Sequence, residues 1–336
     1  MKDFIITLNL QLFADNPNQV TSPINVTTQG GMSPTMKTFY DTTLLENARE
    51  NMVFTQFGLK QPMKGKKVEW RKFNTFAKAL TPLTEGVIPS GQTFGMTMIE
   101  GNITQHGDFV AVSDRLEMES YDDVIFGATE EMGAAEGETY DTLTRNILVG
   151  GNSVMYCPGE DGSTPDSRLG ITNANVLTPE VVHKAATWLK KNKAPKINGS
   201  YVAIIHPSVA FDLRKSEEWK EFHKYSDTAP IFRGEIGMLH GVRFVESNEA
   251  KIWKGDEGKV EAVYATLFLG KDAFGVLEPE GEGMEMIIKG KGQIGGPLEQ
   301  FSTIGYKFCH GAQILYQERM LRVESGSSLG DDDNAN

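Results

Sequence analysis

The sequence predicts an α+β protein, and three observations carry that reading. One long amphipathic helical pattern runs over about residues 122–149. A second region, residues 175–285, alternates short apolar runs with helical stretches, as a compact sheet with flanking helices would. Between them and the N-terminus lies a long two-stranded excursion with a glycine- and proline-rich tip.

The helix rests on Val124, Ala128, Met132, Ala135, Tyr140, Leu143 and Ile147, which keep near-helical spacing, with acidic residues on the other face. At 1.5 Å per residue it spans roughly 40 Å, a strut rather than an ordinary globular helix. Gly150 and Gly151 end it. The excursion uses Val68, Trp70 and Phe73 outward and Met96, Met98, Ile103 and Phe109 in return. Pro82, Gly86, Pro89, Ser90 and Gly91 make the tip turn-rich. A loop this long inside a compact domain points to function.

In the sheet region, Thr178 and Pro179 open a helix with Val182, Ala185, Ala186 and Leu189 on its apolar side, and Lys190, Lys191 and Lys193 at its C-terminal end. Tyr201–Ile205 reads as a buried strand and Ser208 as the cap of the next helix. Val242–Val245, Val260–Leu269, Met284–Ile288 and one long segment, Phe301–Val323, complete the strands. Thr38–Gln56 has the spacing of a short helix, and residues 14–36 read as an extended arm. The apolar residues Phe4, Ile6, Leu8, Leu10 and Leu12 alternate, which fits an extended segment better than a leader peptide. The tail from Ser325 reads as polar and mobile.

Composition narrows the function. The chain has 336 residues and a net charge of −12, which argues against a general nucleic-acid binder. Two cysteines far apart in sequence do not make a disulfide framework, and a reducing compartment is expected. No run reaches the about 18 apolar residues of a membrane helix. Charge is segregated. Lys60, Lys64, Lys66, Lys67, Arg71, Lys72 and Lys78 face one acid, Glu69. Between Asp108 and Asp141 the acids, Glu130, Glu131, Glu138 and Asp141 among them, face Arg115 alone. Lysine-rich loops are often merely solvated. Here the arm's length and the opposite-signed neighbour suggest that the basic part of one copy meets the acidic part of another. Such charges direct partner choice and association rate more than they add stability.

Catalytic motifs lack their contexts. Gly290–Gly295 spells a dinucleotide-type glycine pattern, but Gly296 and Pro297 and then a strand follow it, not a helix. Gly326–Gly330 spells a nucleophile-elbow pattern with no histidine after it. His206, Ser208 and Asp212 are close only in sequence. No histidine or cysteine has metal-ligand spacing. No catalytic, cofactor or metal residue is therefore expected.

In this order, the segments resemble a tailed-phage major capsid protein of the Hong-Kong-97-type fold. The resemblance is carried by Asn9–Ala14, by Pro82–Val87 with Pro89–Gln92, by His206–Ser208 leading into Asp212–Arg214, by Gly237–Val242 running on to Ser247, and by Pro297–Ser325 with Gly305–Lys307. It implies an N-terminal arm (residues 1–57) and an extended loop (58–112). A peripheral domain follows (113–171 and 285–325, with a spine helix at about 122–149), then an axial domain (172–284) and a flexible tail (326–336).

It further implies a structural virion protein. Pentamers and hexamers would build an icosahedral head around double-stranded DNA bound without sequence specificity, assembled in the bacterial cytoplasm without a membrane. Scaffold, portal and decoration proteins are the further partners. The short N-terminal region suggests that any scaffold is a separate protein, and no Lys–Asn crosslink is expected.

The candidate contacts between subunits are Lys64, Lys66, Lys67, Arg71 and Lys72 on the loop, and Glu130, Glu131, Glu138 and Asp141 on the helix. An encapsulin-like nanocompartment shell is the alternative within the same fold. A hydrolase or nucleotide-binding enzyme and a DNA-binding module using the basic arm are the alternatives outside it.

Overall fold

The computed structural model describes residues 52–62, 67–73, 76–83, 85–88, 91–120, 124–225, 232, 234–255, 262–277, 284–290, 293, 298, 300–330 and 333–336. The leader, most of the N-terminal arm with all but residues 52–56 of its expected helix, and Lys64 and Lys66 lie outside these residues. So does most of the Gly290–Gly295 motif. In chain order the first strands are β1 (Leu59–Gln61), β2 (Lys67–Phe73), β3 (Met96–Asn102), β4 (Thr104–Ser113), β5 (Val154–Tyr156), β6 (Tyr201–Ile205) and β7 (Glu235–Leu239). Then follow β8 (Val242–Glu246), β9 (Ile252–Lys254), β10 (Ala262–Leu269), β11 (Phe274–Leu277), β12 (Met284–Lys289), β13 (Phe301–His310), β14 (Ala312–Ile314) and β15 (Met320–Ser325).

The chain divides into two compact units. The smaller contains residues 107–136 and 284–308. Its framework is the sheet β12-β13-β4, in which β12 and β13 are antiparallel, from Met284 opposite Phe308 to Lys289 opposite Thr303. Met286, Ile304 and Phe308 are buried. Ser113 caps the short helix Asp114–Glu119 by accepting from the Leu116 N–H.

The larger unit contains residues 50–106, 137–283 and 309–336. Its main sheet has the order β5-β15-β10-β6-β8-β7, with β9 on β10. Every residue of β6 and of β10 is buried. Such strands read as continuous apolar runs because both faces are covered. The helices Pro179–Lys191 and Pro207–Lys215 supply Val182, Ala185, Ala186, Leu189, Val209, Ala210 and Leu213 to the same core as Phe244 and Phe268. A second sheet, β1-β11-β14, and the pair β2-β3 complete the unit.

The long helix, Val124–Val149, forms as the spacing predicts, and Gly150 and Gly151 close it with bonds to the Ile147 and Leu148 carbonyls. Several other expectations are corrected. The return strand is two strands: β3 pairs with β2 only as far as Asn102, and β4, carrying Phe109, joins the other sheet. The segment Phe301–Val323 is likewise broken, because β13, β14 and β15 serve three different sheets. Thr178 holds the N-cap position but makes no side-chain cap bond. Ser208 is not the cap of its helix; His206 is, its Nδ1 accepting from the Ser208 N–H at 3.3 Å.

The tail is not free either. Asp212 accepts from the Ser327 hydroxyl and the Ser328 N–H at 2.8 and 2.9 Å. Ser208 and Tyr264 both donate to Asp333. A segment that composition marks as solvated is held by hydrogen bonds to distant elements, donating to Asp212 and accepting from Ser208 and Tyr264.

Candidate assembly surface

The β2–β3 arm is built from a packed root and an apolar tip. At the root the register runs from Lys67 opposite Asn102 to Phe73 opposite Met96. Alternation buries Val68 and Trp70 and exposes Lys67, Glu69 and Arg71. Val68 and Trp70 pack with Leu277 and Leu315. The indole lies against Gly275 so closely that a Cβ there would stand 2.3 Å from it. Glycine is thus required by contact rather than by a turn.

Two of the basic residues serve the root. Lys67 pairs with Glu100 across the strand pair, which raises its ammonium above the ordinary lysine value. The Lys72 ammonium sits 4.3 Å from the centre of the Tyr316 ring. Beyond Phe73 the character changes. Phe94 stacks on Phe73 and Phe76 at 5.2 and 5.8 Å. Leu80, Leu83 and Ile88 are 83%, 78% and 94% exposed. Exposed apolar groups this close in sequence make the tip a candidate interaction surface, which charge patterning alone did not reveal. The smaller unit shows a comparable set in Phe109, Leu116, Met118, Leu298 and Phe301, all exposed.

On the long helix, Glu130, Glu131 and Glu138 are exposed, as an acidic contact face requires. Asp141 is not. It is fully buried, and its carboxylate accepts from the Val53 and Phe54 N–H groups at 3.0 and 2.8 Å and from Thr55 at 3.4 Å. It therefore holds the 3-10 turn Phe54–Phe57 within its own chain and is removed from the contact set. Burial pushes it up to about 7, against the three N–H donors, which lower it.

The buried side of this helix carries further polar groups. Thr144 Oγ1 lies 3.1 Å from His310 Nε2, and the Tyr140 hydroxyl donates to the Leu277 carbonyl at 2.6 Å. Arg145 donates to the Glu249 carbonyl at 2.6 Å. Burial, and to a lesser degree the charge of His106, lower His310 to about 4, so its ring is neutral at pH 7. Glu136 is fully buried and neither carboxyl oxygen has a hydrogen-bond partner among the described residues. Burial alone raises it to about 8.

The catalytic look-alikes are structural in their contacts. Ser208 donates to a carboxylate, and the His206 Nδ1 that a triad would need is occupied by a backbone N–H. Ser328 is bound to Asp212 in a turn after β15, with no helix following among the described residues. Among the described residues no cluster of three His, Cys, Asp or Glu could hold a metal, and no helix is long and apolar enough to cross a membrane.

A strut helix, a sheet-and-helix body and a two-stranded arm together define the Hong-Kong-97-type fold of tailed-phage capsid proteins. The structure resembles the capsid of Cyanophage Pam1 at TM-score 0.63 and 11% identity, covering 98% of this chain and 100% of that one. The capsid of Ralstonia phage GP4 gives 0.62 at 16% identity, over 86% and 92%. That of Cyanophage P-SCSP1u gives 0.61 at 15%, over 82% and 89%. No curated protein matches by sequence. The family model for phage capsid proteins matches residues 108–293, and the chain belongs to that family. It is a structural component of a virion capsid.

Proposed function

We propose that this chain builds an icosahedral head from pentamers and hexamers around double-stranded DNA in the bacterial cytoplasm, the β2–β3 arm of each copy lying across a neighbour. The observation that carries this reading is the exposed apolar tip on a packed root. Magnitudes rank its contributions. If six tip side chains each bury about 100 Å² on a neighbour, the apolar gain is ~15 kcal/mol per arm before association costs. Exposed ion pairs contribute about 0–1 kcal/mol each. The tip therefore supplies affinity. Lys64, Lys66 and Arg71 facing Glu130, Glu131 and Glu138 of the next copy set orientation, and Lys67 and Lys72 stiffen the arm.

The test replaces Leu80, Leu83 and Ile88 by serine. Folded subunits with unchanged circular dichroism and no shells in electron micrographs are expected, while Arg71→Glu slows assembly more mildly. Shells at the parental yield from the triple variant would discard the tip as the driving contact. Nuclease-protected duplex DNA in particles from infected cells is expected; an enzyme cargo in its place would favour the nanocompartment reading.

A further inference from the structure

A cleft of about 620 Å³ lies in the larger unit beside the C-terminal end of the long helix, with Arg168, Lys251, Trp253 and Arg322 in its wall. Three cationic side chains line it, and no acidic one does among the described residues, in a chain whose net charge is −12. Glu324, fully buried, is the carboxylate that the two arginines share. It accepts from Arg168 Nε and Nη2 at 2.8 and 2.7 Å and from Arg322 Nε at 2.8 Å. Arg322 Nη1 donates to the Val149 and Gly151 carbonyls, where a cation suits the helix end.

These bonds explain the two arginines only in part. Among the described residues, Nη1 of Arg168 and Nη2 of Arg322 have no acceptor, and the Lys251 ammonium has only the main-chain oxygen of Asn336. The Arg168 guanidinium stacks on Trp253 at 3.5 Å and is held in place. Burial first, then the charges of Arg145 and Arg168, pull the Lys251 ammonium below its ordinary value. Two guanidinium groups on one buried carboxylate keep donors to spare beside the Lys251 ammonium, and an anion in the cleft would accept from them.

We propose that this cleft binds a phosphoryl anion, with Arg168, Arg322 and Lys251 as its donors. Guanidinium groups match phosphate oxygens in pairs, and an ammonium adds a point charge. The cleft has room for one phosphoryl group with its substituents. A nucleic acid would present a single backbone phosphate, and free phosphate is the other source. The inference stands on this cleft and does not depend on how copies of the chain assemble.

Titration calorimetry of the full chain with sodium phosphate, against chloride at equal ionic strength, is expected to show one site per chain. Lys251→Gln should weaken it about tenfold or more, the scale of a lost charged hydrogen bond. Acetylation footprinting of the unmodified sequence covers the case in which that variant folds poorly. Phosphate should protect Lys251 and leave the exposed Lys190 and Lys193 unchanged. Displacement of phosphate by a short DNA duplex would assign the backbone as the source, and no displacement would assign the free anion. Equal heats in phosphate and chloride, or equal acetylation of Lys251 with and without phosphate, overturn the proposal.

Discussion

Replacing Glu136 by glutamine should make the chain markedly less sensitive to alkaline pH. Its carboxyl is fully buried, with no hydrogen-bond partner among the described residues, and burial raises it from 4.5 to about 8. Between those values the folded chain holds a proton that the unfolded chain has released. Stability conferred by the protonated group is therefore complete below about pH 4.5 and falls as pH rises toward 8. A tenfold difference in proton affinity between folded and unfolded chain is worth about 1.4 kcal/mol, so the loss is about 3 kcal/mol at pH 7 and ~5 kcal/mol above pH 8, an upper bound because the site can relax. Glutamine has no proton to release, and it resembles the protonated acid in size and polarity. Thermal unfolding of both proteins across pH 5–9 is the assay. The two melting curves should nearly coincide near pH 5 and diverge with rising pH, the variant becoming the more stable. Parallel dependence on pH would refute the reasoning, because it would mean that Glu136 is solvated or paired.

Three further outcomes are expected. Asp141→Ala removes the shared acceptor of the Val53, Phe54 and Thr55 N–H groups; amide exchange there should accelerate about tenfold or more, and unchanged protection would show another acceptor in reach. Gly275→Ala places a methyl 2.3 Å from the Trp70 indole, and urea denaturation should show a loss of about 1–3 kcal/mol. Asp333→Ala takes away the acceptor of Ser208 and Tyr264, so limited proteolysis should cut residues 326–336 sooner while the body resists; equal cutting rates would place the tail's anchor elsewhere.

What could be read from the sequence was local. Met132 and Tyr140 recur at helical spacing, and Gly150-Gly151 punctuates the helix end, so the strut was legible. Tyr201–Ile205 and the run ending at Leu269 were legible as buried strands because continuous apolar character needs no knowledge of the partner. The arm was legible from its length and turn residues, but its end was not. Nothing in Ile103 announces that β3 stops pairing with β2 and that β4 joins a different sheet. The acidic helix face was half legible. Glu130, Glu131 and Glu138 lie outside, while Asp141 turns inward to backbone N–H groups 86–88 positions away.

Backbone geometry therefore let the chain alone declare its long helix, its buried strands, its two-stranded arm and its segregated charge, since periodicity and turn chemistry act over a few residues. Only the tertiary structure decided which charges leave water: Asp141 and Glu136 in the interior, Asp333 under Ser208 and Tyr264, and Arg168, Lys251 and Arg322 around one cleft. The physical reason is that desolvation and pairing depend on groups brought together from distant parts of the chain, and no local pattern records which groups those are.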